Sequence, residues 1–234
     1  MKKRVPLGQK SYEKLKTGNY YVVDKSLMIK DYLDKGNEVT LITRPRRFGK
    51  TINMSMMAEF FDITKDSKEL FKDTEIMKTE YASEMNQYPT IFLSFANAKG
   101  KLTEMVKYIK LALRQEYSRY TFIFNQLSFF DQDDYDRIVQ GLLDVNNGKL
   151  ADVSECLAYL MRILEEHYGK KVMLFIDEYD TPFIEAHVNG FYKDIRQDLS
   201  TLLHTALKSS DNLQYAMLTG IQRVAKENLF SDLN

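Results

Sequence analysis

The sequence contains one cysteine, Cys156, which excludes a disulfide within the chain. Cys156 sits in an apolar helical pattern, and the expected role of its thiol is core packing rather than nucleophilic chemistry. No apolar run approaches the ~20 residues that a membrane helix requires. The basic start MKKRVPLG lacks the apolar core of a signal peptide. These absences together lead to the expectation of a cytoplasmic protein without a membrane partner. The three histidines, His167, His187 and His204, show no paired spacing of the kind that binds a metal. No Gly-x-Ser-x-Gly elbow supports ester or peptide hydrolysis. No Asn-Lys-x-Asp guanine signature is present.

Net charge is also missing, because 33 Lys and Arg balance 33 Asp and Glu. The balance conceals an asymmetry: residues 1–50 hold 13 basic against 5 acidic side chains, and residues 51–234 hold 20 against 28. Arg44, Arg46, Arg47 and Lys50 of that block fall within residues 39–51. For Lys2, Lys3, Arg4, Lys10, Lys14 and Lys16 two readings are open, a nucleic-acid contact and a solvated leader.

What is present is the composition of an ordinary globular chain, 44% hydrophobic and 28% charged over 234 residues, long enough to bury a substantial core. Its central stretch is VTLITRPRRFGKT, residues 39–51. Residues 39–43 have strand character, and a short basic loop leads into Gly49-Lys50-Thr51 and a helical pattern over residues 50–62. Strand, tight loop, Gly-Lys-Thr and helix describe a phosphate-binding loop, the Walker A arrangement. Helix N-terminal amides lack intrahelical partners and the positive end of the helix dipole faces the same way. Gly49 permits close backbone approach, Lys50 reaches the outer phosphates, and the Thr51 hydroxyl is suited to Mg²⁺. Arg46, Arg47 and Phe48 complete the candidate nucleotide-contacting set. The usual GxxxxGK[ST] pattern has glycine where this chain has Arg44.

The second motif is KVMLFIDEYD, residues 171–180, an apolar strand ending in Asp177 and Glu178. In phosphate-loop ATPases a strand beside the phosphate-loop strand presents an acid that holds the Mg²⁺ hydration shell, the Walker B role. A following glutamate orients and deprotonates the attacking water. Successive residues at a strand end point in different directions, so Asp177 is assigned to the metal and Glu178 to the water. A third strand, residues 213–218, ends in Thr219-Gly220. Thr219 is the candidate for sensing the γ-phosphate or positioning the water. Arg223 has two readings, an arginine finger and a plain surface residue.

Between these motifs the periodicity alternates helix and strand. Residues 20–35 begin strand-like and become helical, with Leu27, Met28, Ile29, Tyr32 and Leu33 on a helix capped by Asp24 or Ser26 and closed by Gly36. Tyr21, Val22 and Val23 read as strand-like, either core or contacts to an adenine. Residues 90–95 read as a buried strand and residues 101–120 as an amphipathic helix. An acidic helix start carries Asp131, Asp133, Asp134 and Asp136. Asp152 with Glu155 resembles a capping box for the next helix, which ends at Gly169. Residues 191–210 place Ile195, Leu199, Leu202, Leu203 and Ala206 inward.

The blocks YYVVDKS, LITRPRRFGKT, LFIDEYDTPF and TGIQRVAKENLFSDLN together resemble the AAA-ATPase-like family of prokaryotic proteins. There an ATPase region is commonly followed by a PD-(D/E)XK nuclease-like region, and the phosphate loop is similarly arginine-rich without its first glycine. The resemblance implies Lys50 and Thr51 at phosphate and Mg²⁺, Asp177 at Mg²⁺ and Glu178 as base. The expected fold is a three-layer α/β P-loop NTPase domain with a mainly parallel sheet flanked by helices. Residues 1–36 are expected to form a basic leader and entry helix, and residues 37–234 the ATPase core. Four strands are counted where such ATPases usually have a fifth, and the chain stops at SDLN without a helical lid or nuclease-like region, as expected of a truncated core. The expected function is binding of ATP and Mg²⁺ with slow hydrolysis, coupled to a C-terminal domain or partner. A non-catalytic nucleotide-dependent interaction module and a nucleic-acid-binding protein are the alternatives.

Overall fold

A computed structural model describes residues 4–6 and 8–224. Lys2 and Lys3 of the basic leader, and residues 225–234 of the last motif block, lie outside the described residues. In chain order the elements are α1 (Tyr12–Thr17), α2 (Leu27–Lys35), β1 (Val39–Thr43), α3 (Lys50–Phe61), α4 (Lys68–Phe71), β2 (Thr90–Ser94), α5 (Leu102–Arg119), α6 (Thr121–Phe124), α7 (Phe129–Leu143), α8 (Cys156–Tyr168), β3 (Val172–Asp177), α9 (Thr181–Val188), α10 (Tyr192–Leu207) and β4 (Leu213–Gly220). The four strands form one sheet of order β1-β4-β3-β2 in which every neighbouring pair is parallel.

The alternation of side chains along each strand explains how the sheet is covered. Val172, Leu174 and Ile176 of β3 join Ile91, Leu93, Ala216 and Leu218 in one core, which takes Ile109 from α5, Leu160 from α8 and Leu202 from α10. Met173, Phe175 and Met217 point the other way, into a second core with Ile29 and Tyr32 of α2 and Met57, Phe60 and Phe61 of α3. Helices therefore lie on both faces of the sheet. Because β3 also has strands on both edges, all six of its residues are buried, which is why VMLFI reads as a continuous apolar run rather than an alternating one. Each fully buried large apolar side chain contributes roughly 1.5–3 kcal/mol to folding.

The order of the strands departs from expectation at one point. The acid-bearing strand β3 is not beside the phosphate-loop strand, because β4 is inserted between them. A parallel sheet is assembled through crossovers, so adjacency in the sheet does not follow adjacency in sequence.

Three local expectations also change. Neither Asp24 nor Ser26 caps α2 with its side chain. Asp24 Oδ1 accepts from Ser26 N and its Oδ2 from Glu75 N, while Ser26 Oγ accepts from Ile76 N, so both hold the segment at 75–76. Residues 21–23 form no strand, and Tyr21 and Val23 are exposed. The capping box at Asp152 and Glu155 does not form: residues 151–153 make a short 3-10 turn and α8 starts at Cys156. The Asp152 carboxylate is drawn instead to Lys110, whose fully buried Nζ donates to Asp152 Oδ2 (3.1 Å), Asn147 Oδ1 (3.1 Å) and Asp144 O (3.0 Å). Cys156 is buried, as read, and burial pushes its thiol far above the ordinary range. Among the described residues no helix is long and apolar enough to cross a membrane.

Candidate functional site

The phosphate-loop stretch leaves the sheet at the C-terminal end of β1. Arg44 N donates to Gly220 O (3.2 Å), adding one rung to the β1–β4 pairing before the chain turns. Arg47 then adopts φ 70° and Gly49 φ 75°, and α3 begins at Lys50. A Cβ on Gly49 would meet nothing nearer than Ile52 Cγ2 at 3.6 Å, so glycine is required there by backbone conformation and not by space. No side chain caps α3, and its first-turn amides keep their donor capacity.

Lys50 Nζ donates to Arg44 O (2.7 Å) and Pro45 O (3.0 Å), folding its ammonium back over the loop. The carbonyl at the position of the missing glycine thus serves the lysine, and the Arg44 side chain is exposed, with Nη1 on Thr43 O. An arginine is tolerated there because its side chain extends into solvent. Arg46, Arg47 and Phe48 are exposed as well, forming a basic surface around the loop.

Asp177 lies at the centre of the strand ends. It is 1% exposed, and each of its oxygens accepts from a hydroxyl: Oδ2 from Thr51 Oγ1 at 2.9 Å and Oδ1 from Thr219 Oγ1 at 2.6 Å. Ser94 Oγ lies 3.4 Å from Oδ2. The sheet register produces this row, since Thr43 pairs with Gly220, Ile176 with Leu218 and Ser94 with Asp177. The start of α3 brings Thr51 to the same point from 126 residues away. No described ion pair involves Asp177. A buried carboxylate held by neutral hydroxyls has the donor chemistry that fits a hard cation.

Glu178 follows at φ 53°, a conformation costly for a side-chain-bearing residue. The turn swings its carboxylate away from Asp177, and Oε2 accepts from Thr181 Oγ1 at 3.2 Å. Glu178 lies past the end of β3, so the two acids take different partners through this turn and not through the alternation of a strand.

A family model described as predicted AAA-ATPase matches residues 6–230. The chain belongs to that family. An uncharacterised protein in the vnfD 5′ region of Azotobacter chroococcum mcd 1 is 25% identical over 244 residues, covering 100% of this chain and 40% of that protein. The chain thus spans less than half of that relative's length. No solved structure matches.

The strand ends of this AAA-ATPase chain also carry residues that sequence reasoning missed. Ser94 closes β2 in the way that Thr219 nearly closes β4, a polar residue ending an apolar strand, and that signal was open to reading. Tyr179 and Asp180 lay inside the LFIDEYDTPF block without assigned roles. Both are fully buried, and both contact the chain leaving β4. Arg223 is exposed in that segment, near enough to act electrostatically on the Tyr179 hydroxyl, which burial pushes up to about 12. Among the described residues no group of three or more His, Cys, Asp and Glu gathers at one point. Mg²⁺ is ordinarily held by one or two protein ligands together with phosphates and water, so an all-protein cage is not required.

Proposed function

We propose that this chain is a P-loop domain that binds ATP with Mg²⁺ at the C-terminal edge of its sheet and hydrolyses it slowly. The observation that carries the reading is the pair of hydroxyl contacts from Thr51 and Thr219 to the two oxygens of buried Asp177. They unite the end of the Gly-Lys-Thr loop, the acid-bearing strand and the strand between them at one point.

In this reading the amides of residues 48–51 and the Lys50 ammonium bind the phosphates. Lys50 exchanges its two loop carbonyls for phosphate oxygens, a charge-assisted contact in place of neutral ones. Arg46 and Arg47 add cationic contacts from the loop rim, beside Phe48 and Gly49. Thr51 and Asp177 hold Mg²⁺, which supplies charge neutralisation at the transferring phosphoryl group. Glu178 leaves Thr181 and accepts a proton from the attacking water, and Thr219 fixes the Asp177 carboxylate from behind. The cycle is coupled to a partner, with the exposed arginines as the contact surface.

The test is nucleotide affinity and phosphate release in two variants. Lys50→Ala is expected to abolish ATP binding, and Glu178→Gln to keep binding while losing hydrolysis. Unchanged ATP affinity in Lys50→Ala overturns the reading.

A further inference from the structure

We infer that Tyr179 and Asp180 form a latch that holds the chain leaving β4 against the end of β3, coupling the Asp177–Glu178 site to residues 221–224. The latch rests on contacts in the fold, and its response to nucleotide rests on the function proposed above.

Residues 221–224 form no helix or strand, and the side chains of Ile221, Gln222 and Arg223 are exposed. Four of the segment's backbone groups are nevertheless held by two adjacent buried side chains. Asp180 Oδ2 accepts from Ile221 N (2.8 Å) and Gln222 N (3.0 Å). The Tyr179 hydroxyl accepts from Val224 N (3.0 Å) and donates to Gln222 O (3.2 Å). Gly220 makes the approach possible, because a Cβ there would lie 2.8 Å from Asp180 Cγ and 2.9 Å from Tyr179 Cε1.

The latch is continuous with the site on both sides. Asp177, Glu178, Tyr179 and Asp180 are consecutive, so a change in the carboxylates is one or two peptide units from the latch. Thr219 contacts Asp177 through its hydroxyl and Tyr179 N through its carbonyl, at 2.6 and 3.0 Å. Among the described residues no hydrogen-bond partner meets the buried Asp180 Oδ1, and an unmet acceptor of this kind favours a second arrangement that supplies a donor. Tyr179 and Asp180 are thus positioning residues: they fix where the segment bearing Arg223 lies, and ligand at the carboxylates biases that placement.

The experiment is amide hydrogen exchange on the full chain, with and without Mg-ATP, beside steady-state phosphate release. Without nucleotide, Asp180→Ala is expected to speed exchange at Ile221 and Gln222 about tenfold or more, because the amides lose their acceptor. Asp180→Asn, which keeps an acceptor oxygen, restores slow exchange, and Tyr179→Phe, which keeps the ring and removes the hydroxyl, speeds Val224 alone. Mg-ATP is expected to change exchange at residues 221–224 in the parent and not in Asp180→Ala. In Asp180→Ala kcat falls about tenfold with KM little changed, and Asp180→Asn recovers most of it. Parent-like exchange in Asp180→Ala and Tyr179→Phe overturns the latch, and bound Mg-ATP that leaves residues 221–224 unaffected overturns the coupling. A parent chain that binds no Mg-ATP overturns the nucleotide reading and the coupling with it, while the nucleotide-free exchange still decides the latch.

Discussion

Thr219 donates its hydroxyl to Asp177 at 2.6 Å from the strand that separates the acid-bearing strand from the phosphate-loop strand. Both residues are 1% exposed, so water cannot replace the contact. The inserted strand therefore fixes one carboxylate oxygen of Asp177 while Thr51, at the end of the loop, holds the other directly.

Thr219→Val keeps the shape of the side chain and removes the donor. One oxygen of a buried carboxylate is then left without a partner, which is expected to destabilise the fold by about 1–3 kcal/mol. Urea denaturation measures the loss. Turnover is expected to fall more than ATP affinity, because the loop and Lys50 are untouched. A variant with parent stability would show that the hydroxyl contact contributes nothing.

Glu178 provides a test of strain. At φ 53° it is one of the few residues other than glycine held in the left-handed region. Glu178→Ala and Glu178→Gly both remove the carboxylate and are both expected to lose hydrolysis. They differ in backbone preference, and Glu178→Gly is expected to be the more stable of the two by about 1 kcal/mol. Equal midpoints in denaturant would mean that the turn carries no strain.

How much of this was legible follows from the range over which each signal acts. The apolar run of β3, the inward face of α10 and the Gly-Lys-Thr helix start are local patterns, and residues 172–177, Ile195 to Ala206 and Lys50 all stand where periodicity puts them. The place of Asp177 was legible because it closes the apolar run of β3, whereas the left-handed turn at Glu178 was not. Strand order was not, since nothing in residues 213–220 states which strands they lie between. Asp152 was misread because a local capping pattern competes with a lysine 42 residues away, and the buried ammonium wins the carboxylate. Asp180 stood hidden for a similar reason: it precedes α9 as a capping residue would, yet its side chain makes no cap and turns to amides more than 40 residues on.

Lys110→Met tests that long-range anchor. The variant keeps the apolar stem inside the core and deletes the ammonium, so Asp144 O loses its side-chain donor, while Asn147 Oδ1 keeps Lys149 N and Asp152 Oδ2 keeps only Asn147 Nδ2. Asp152 keeps 34% of its side-chain surface exposed, and solvent recovers part of the loss. The expected cost is about 2 kcal/mol, with faster amide exchange over residues 144–152 and unchanged ATP affinity. A parallel loss of ATP binding would tie the anchor to the site and contradict this assignment.

Glu116 makes the fold sensitive to pH near neutrality. It is buried on α5, where Oε2 accepts from Phe92 N on the edge strand β2 and from Arg119 Nη1. Arg119 also pairs with Asp62, and its Nη1 reaches Thr90 O, so this cluster covers the outer edge of β2. Burial pushes the Glu116 carboxyl up from 4.5 to about 7, against the pull of Arg119. Because the folded state holds the proton more tightly than the unfolded chain, the native form binds more protons between these two values. Stability attributable to Glu116 is then full below about pH 4.5, falls as pH rises and levels off above about pH 7, a change of at most about 3 kcal/mol. Glu116→Gln keeps an acceptor for Phe92 N and removes the titration. Its unfolding free energy measured from pH 5 to 8 is expected to lack the decline seen in the parent, and an identical slope in the two proteins would place the pH dependence elsewhere in the chain.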